Sequence, residues 1–67
     1  MNEAITLNGH PIPIEHTTLD QLVRARIPET RRIAVALNGA VVPRGAWSET
    51  RLHAGDRVEI IKITVGG

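Results

Sequence analysis

Residues 55–63 read GDRVEIIKI. The opening Gly-Asp is typical of a tight turn, and the residues after it alternate between apolar and polar as in a β-strand. Alternation places successive side chains on opposite faces of a strand. One face carries Val58, Ile60 and Lys62, and the other carries Glu59, Ile61 and Ile63. The sequence therefore predicts a final strand over Arg57–Ile63 with apolar side chains on both faces.

Two predicted hairpins lie upstream, each centred on the tripeptide Leu-Asn-Gly, at residues 7–9 and 37–39. Asn and Gly both tolerate the positive φ that a two-residue hairpin turn requires. Pro11 and Pro13 cannot donate ladder hydrogen bonds, so their strand is expected at a sheet edge. The four flanking strands are predicted at Glu3–Leu7, His10–Ile14, Ile33–Leu37 and Ala40–Pro43.

A helix is predicted between the hairpins, over Thr18–Ile27. Thr18 and Gln21 have the spacing of a capping box, and Pro28 ends the pattern. The apolar stripe consists of Leu19, Leu22, Val23 and Ile27. Arg44–Ala54 is predicted to be irregular. These elements predict an α+β fold, a five-stranded mixed sheet with one helix on one face, over residues 1–64.

Length and composition restrict the classes of function. The 67 residues make one domain, and the absence of cysteine excludes disulfides and thiolate metal sites. A net charge of +1 and a single aromatic residue, Trp47, favour neither a polyanion-binding field nor a base-stacking surface. No apolar run approaches the length of a membrane span and no signal peptide is apparent. We expect a cytoplasmic protein that binds neither nucleic acid nor membrane.

The chain ends in Val65-Gly66-Gly67. Glycine has no side chain to pack and costs the most entropy to order, so we expect residues 65–67 to form a flexible tail. A tail without Cβ atoms can enter a narrow channel and present an unhindered α-carboxylate at Gly67. The alternative interpretation is a frayed end or a boundary of the expressed chain.

Several segments together resemble the sulfur carrier protein of thiamine biosynthesis, a ubiquitin-like β-grasp family. They are IAVALNG at 33–39, VVPR at 41–44, Trp47, GDRVEI at 55–60 and the terminal Gly-Gly. The small subunit of molybdopterin synthase is a sister family, and the Val-Pro-Arg…Trp segment favours the thiamine branch. In a β-grasp fold the last strand is central and lies parallel to the first.

The resemblance implies a function as a protein cosubstrate with no active site of its own. A ubiquitin-activating-enzyme-like partner adenylates Gly67 with ATP and Mg²⁺, and a sulfur donor protein converts the adenylate to a thiocarboxylate. A thiazole synthase then accepts the sulfur. This chain lacks a glycine-rich loop followed by Lys-Ser/Thr, so the partner must supply the phosphate site.

The residues leave a partner surface open to two interpretations. Ile61 and Ile63 either form an exposed apolar patch for a partner, or a local twist turns Ile63 inward. Arg44 is either solvated or meets an acidic group on a partner. Trp47 is expected to pack in the core.

The remaining polar candidates are expected to lie on the surface or in turns. His10, His16 and His53 have no metal-ligand spacing, so no metal site is predicted. The basic run of Arg24, Arg26, Arg31 and Arg32 is better explained by helix-end compensation and solvation than by an RNA-binding or acidic-partner patch.

Two other functions compete with sulfur carriage. A ubiquitin-like modifier would use the same activation of Gly67 but end in isopeptide bonds to lysines. A small β-grasp regulatory module of larger RNA-related proteins shares the turn and strand motifs but needs no Gly-Gly end. An autonomous enzyme is disfavoured because no nucleophile–base pair or paired acids stand out.

Overall fold

The computed structural model describes residues 3–63. Over this range the chain forms five strands, one α-helix and one 3₁₀ helix. The strands are β1 (Ala4–Leu7), β2 (His10–Pro13), β3 (Ile33–Leu37), β4 (Ala40–Val41) and β5 (Arg57–Lys62). The α-helix, α1, spans Leu19–Arg26, and the 3₁₀ helix spans Arg44–Glu49.

The five strands form one mixed sheet in the order β2-β1-β5-β3-β4. Strand β5 is central: it runs parallel to β1 and antiparallel to β3. Strand β2, which carries the two prolines, lies at an edge as predicted. The predicted five-stranded mixed sheet with one helix is confirmed, including the central last strand.

Local chemistry explains the connections between these elements. Asn8 and Gly9 have φ of 51° and 86°, and Asn38 and Gly39 have φ of 52° and 89°, so both hairpins turn through the left-handed region as predicted. The capping box of α1 is also present. The Thr18 hydroxyl accepts from the Gln21 backbone N–H at 3.2 Å, and the Gln21 side chain accepts from the Thr18 N–H at 3.3 Å.

The core lies between α1 and one face of the sheet, and its buried side chains come from every layer of the fold. They are Ile5, Leu19, Leu22, Val23, Ile33, Val35, Trp47 and Val58. Trp47 is 1% exposed, which confirms its packing role, and its indole N–H donates to the Val42 carbonyl oxygen at 2.9 Å.

Most element ends lie within one residue of the predicted boundaries, and two stretches differ by more. Arg44–Glu49 is a 3₁₀ helix rather than irregular chain. Pro43 fixes φ at −59° and its carbonyl oxygen accepts from the Ala46 N–H at 2.8 Å, which starts the turn. The return strand β4 ends at Val41 rather than Pro43, because proline has no N–H for the ladder and the Val42 carbonyl oxygen bonds Trp47 instead.

Candidate functional site: the central strand and its open face

Strand β5 leads directly into the predicted tail. Strand β5 is bonded to β3 along most of its length and to β1 at its first two residues. The predicted site residues Val65, Gly66 and Gly67 lie outside residues 3–63, which the structure describes. The structure therefore defines the base from which these three residues follow.

Two apolar side chains at the end of β5 are exposed. Ile61, on the face of β5 that points away from α1, is 54% exposed, and Ile63, the residue after β5 ends, is 47% exposed. On the opposite face Val58 is buried and Ile60 packs against the core. Ile61 and Ile63 therefore have the exposure that the partner-surface interpretation requires, although Ile63 also lines a groove beside the end of α1. Contact of either residue with a partner stays a prediction.

A neighbouring strand extends this surface. Ile61 lies opposite Ala34 of β3, and Ala36 lies opposite Val41 of β4, which is 71% exposed. Paired residues project to the same face of a sheet. We call Ile61, Ile63 and Val41 the open-face patch. The place of Val41 in this patch is not among the sequence predictions, although the two-residue turn at Asn38-Gly39 fixes its register opposite Ala36.

An apolar groove adjoins the patch at the end of the molecule where β5 finishes. Its volume is about 600 Å³. The lining residues are Ile27, Pro28, Glu29, Arg32, Ile33, Lys62 and Ile63. The groove brings together the C-terminal end of α1, the following loop and the end of β5, so its existence depends on tertiary packing and has no local sequence signal.

Glu29, on the rim of the groove, forms an ion pair with Arg31. The Arg31 Nη2 lies 2.9 Å from Glu29 Oε2, and the Arg31 backbone N–H also donates to Glu29 at 2.9 Å. Hydrogen bonds from the Arg31 side chain, and then from its backbone, lower the pKa of Glu29 to about 2. The same carboxylate raises the pKa of Arg31. Both side chains are solvent-exposed, so the pair orders the loop more than it stabilises the domain.

Arg44 makes contacts within the chain that neither sequence interpretation included. Its guanidinium donates to the Thr30 hydroxyl at 2.8 Å and to the Thr30 carbonyl oxygen. It also lies over the Trp47 ring, 5.2 Å from the centroid. Thr30 is only 6% exposed, so Arg44 provides the hydrogen bonds that a buried polar residue requires. Contact between Arg44 and a partner stays a prediction.

The other polar candidates are dispersed over the surface. Arg24 pairs with Asp20 one helical turn earlier, at 2.8 Å, while Arg26 and Arg32 form no ion pair with any residue between 3 and 63. His10 and His53 are exposed and His16 is half-buried. Among the residues that the structure describes, no group of three or more His, Asp or Glu side chains could hold a metal ion. Over the same range, no helix is long and apolar enough to cross a membrane.

The mixed sheet with its last strand at the centre and one helix on one face defines the class of protein: this is a ubiquitin-like β-grasp domain. The model of the ThiS family matches residues 5–67, and the chain belongs to that family. Among solved structures, the chain is similar to the thiamine biosynthesis protein ThiS from Geobacter metallireducens. The two share 29% sequence identity over 96% of this chain and 99% of that one, with a TM-score of 0.82. A comparison with curated proteins gave no match.

Proposed function

We propose that this protein is a cytoplasmic sulfur carrier of thiamine biosynthesis and that the α-carboxylate of Gly67 carries the sulfur. One observation supports this most directly: the ThiS family model extends through Gly66 and Gly67 at the end of the chain. The solved relative, a thiamine biosynthesis protein, shares almost the full length. In this proposal the protein is a cosubstrate, and partner enzymes perform the catalysis.

The proposed chemistry begins with activation of an unreactive group. A carboxylate is a poor acyl donor because it is anionic and has a poor leaving group. A ubiquitin-activating-enzyme-like partner, using ATP and Mg²⁺, joins Gly67 to AMP and releases pyrophosphate. Sulfur from a donor protein, at the oxidation level of hydrosulfide, then attacks the acyl carbon and displaces AMP. The product is a thiocarboxylate, which a thiazole synthase uses as its sulfur source.

The composition of the chain is consistent with sulfur carriage at the C-terminus. The sequence contains no cysteine, so no side-chain thiol can hold a persulfide. It also contains no phosphate-binding loop of the Walker type, so ATP is handled by the partner. Gly66 and Gly67 add no side chains, which suits a narrow active-site channel in the activating enzyme.

The open-face patch is the proposed docking surface for these partners. Exposed apolar side chains on a small domain commonly mark protein interfaces. Ile61 lies on the last strand and Ile63 directly follows it, so a partner that covers both would bind next to the segment that ends in Gly67. Arg44 lies near the groove rather than on the patch, and its proposed partner contact would have to leave its bonds to Thr30 in place.

Tail variants test the proposal. Deleting Gly67 should abolish adenylation by the activating enzyme, measured as ATP–pyrophosphate exchange, because the acyl group is lost. Gly66→Val should impair it by adding a β-branched side chain to the threaded segment. Gly45→Val is the matched control: Gly45 has no atoms within 4 Å of an added Cβ, and its backbone needs no positive φ. The proposal is wrong if the Gly67 deletion is still activated and sulfurated.

A further inference from the structure

The two sides of β5 are held unequally. Strand β3 pairs with β5 from Val58 to Lys62. Strand β1 pairs with it at two positions, Thr6 with Arg57 and Leu7 with Val58, and then turns away. The half of β5 that leads toward the tail therefore has no strand on its β1 side in the described part of the chain.

The side chain of Asn8 takes the place of the missing strand. Its Oδ1 accepts from the Ile60 backbone N–H at 2.8 Å, and its Nδ2 donates to the Ile60 carbonyl oxygen at 3.3 Å. The Asn8 backbone N–H donates to the Val58 carbonyl oxygen at 2.9 Å. A side-chain amide has an N–H donor and a carbonyl acceptor, as a peptide group does. The Asn8 side chain therefore adds to the β1–β5 ladder the two hydrogen bonds that one more residue of β1 would make.

The second Leu-Asn-Gly turn has a parallel arrangement at the other end of the strand. Asn38 Oδ1 accepts from the Arg57 backbone N–H at 2.8 Å, and the Asn38 N–H donates to the Arg57 carbonyl oxygen at 2.8 Å. Its Nδ2 donates to Asp56 Oδ1 at 3.0 Å. The two asparagines thus hold β5 at residue 57, where it begins, and at residue 60, just before the open-face patch.

We propose that Asn8 is a positioning residue for the activation of Gly67. By holding Ile60 on the β1 side, it fixes the path of the last residues of β5, which include Ile61 and lead to Ile63. The activating enzyme then binds a segment that is already ordered at its base, which lowers the entropy cost of docking. This role rests on the proposed function. Asn38 holds only the start of β5 and serves as the internal comparison.

Hydrogen exchange on the isolated protein tests the structural half of the proposal. Asn8→Gly and Asn38→Gly both keep a residue that accepts positive φ, so each removes a side-chain amide while preserving the turn. Asn8→Gly should raise the hydrogen-exchange rate of the Ile60 amide about tenfold or more, and it should also raise the rate of the Ile63 amide. Asn38→Gly should instead release Arg57. Equal protection of Ile60 in the two variants would overturn the role of Asn8.

Kinetics with the activating enzyme test the functional half. Asn8→Gly should raise the KM for the carrier in ATP–pyrophosphate exchange about three- to tenfold at unchanged kcat, because the partner must order the segment itself. Asn38→Gly should keep the KM within about twofold of that of the unaltered protein, even if it lowers the thermal stability as much as Asn8→Gly does. Equal KM values in the two variants would overturn the positioning role. If the unaltered protein is not adenylated at all, the proposed function is wrong and the kinetic role of Asn8 is wrong with it. The hydrogen-exchange result would still test whether Asn8 protects the Ile60 amide.

Discussion

Replacing Ile60 and Ile61 in turn by aspartate distinguishes the core face of β5 from its open face. The two residues are adjacent in sequence, but Ile60 is half-buried against the core, whereas Ile61 is 54% exposed. We expect Ile60→Asp to destabilise the fold severely. Ile61→Asp should leave the fold largely intact and weaken binding to the activating enzyme.

The magnitudes follow from burial. Full burial of an isoleucine side chain contributes about 1.5–3 kcal/mol, so the half-buried Ile60 contributes roughly half of that. A carboxyl group held near the core without a hydrogen-bond partner adds about 1–3 kcal/mol, because it can be protonated rather than buried as a charge. The total of about 2–4 kcal/mol is a large share of the roughly 3–10 kcal/mol expected for a domain of this size. Ile61→Asp should cost about 1 kcal/mol or less, mostly from strand propensity.

Thermal unfolding followed by circular dichroism measures the difference. At about 4–8 °C per kcal/mol, Ile60→Asp should lower Tm by roughly 10–30 °C and Ile61→Asp by less than about 8 °C. Val58→Asp gives the upper limit for a fully buried position, and Ile61→Asn separates the effect of charge from that of shape. Equal losses of Tm at positions 60 and 61 would refute the assignment of faces.

Three further predictions concern the helix cap and the loop beside the groove. Thr18→Ala should destabilise the domain by about 1 kcal/mol in urea unfolding, because the capping box loses its hydroxyl, and Thr18→Ser should retain most of the stability. Arg44→Lys should not rescue the stability lost in Arg44→Ala, because a lysine cannot reproduce both the paired hydrogen bonds and the stacking over Trp47; intrinsic fluorescence of Trp47 and Tm report this. Glu29 should titrate by NMR near pH 2, and Arg31→Gln should return its pKa toward the usual 4.5. Because the pKa of Glu29 is lower in the folded state than in the unfolded state, any stabilisation from this pair is complete above pH 4.5 and is lost as the pH falls toward 2. A difference in stability between Arg31→Gln and the unaltered protein that persists below pH 2 would contradict this reasoning.

Features that depend on local backbone chemistry could be predicted from the sequence. The two Asn-Gly turns follow from the need for positive φ, and the helix start follows from the side chains of Thr18 and Gln21. The edge position of β2 follows from proline's missing N–H, and the faces of β5 follow from alternation. Each of these rules involves residues within a few positions of one another.

Features that depend on distant partners could not be predicted in the same way. The contact between Asn8 and Ile60 joins residues 52 positions apart and requires the final order of the strands. The bonds from Arg44 to Thr30 depend on how the loop packs beside Trp47. The 3₁₀ helix is too short to show a periodic pattern. The groove likewise requires the end of α1 and the end of β5 to meet.

The residues of the candidate site also differ in whether local sequence or distant contacts determine them. Gly66 and Gly67 were recognised because a terminal Gly-Gly has chemical meaning in sequence, and they lie outside residues 3–63. Ile61 and Ile63 were identified by alternation, and their exposure is confirmed. The turn fixes Val41 opposite Ala36, but its place beside Ile61 depends on the long-range pairing of β3 with β5.

The central claim is that Gly67 carries sulfur, and the intact mass of the protein tests it most directly. The protein is incubated with the activating enzyme, ATP, Mg²⁺ and a sulfur donor, and its mass is then measured under non-reducing conditions. We predict a mass increase equal to the difference between sulfur and oxygen, located at Gly67 by fragmentation and absent when ATP is omitted. An unchanged mass, with Gly67 found instead in isopeptide bonds to lysines of other proteins, would contradict the carrier function and favour a ubiquitin-like modifier.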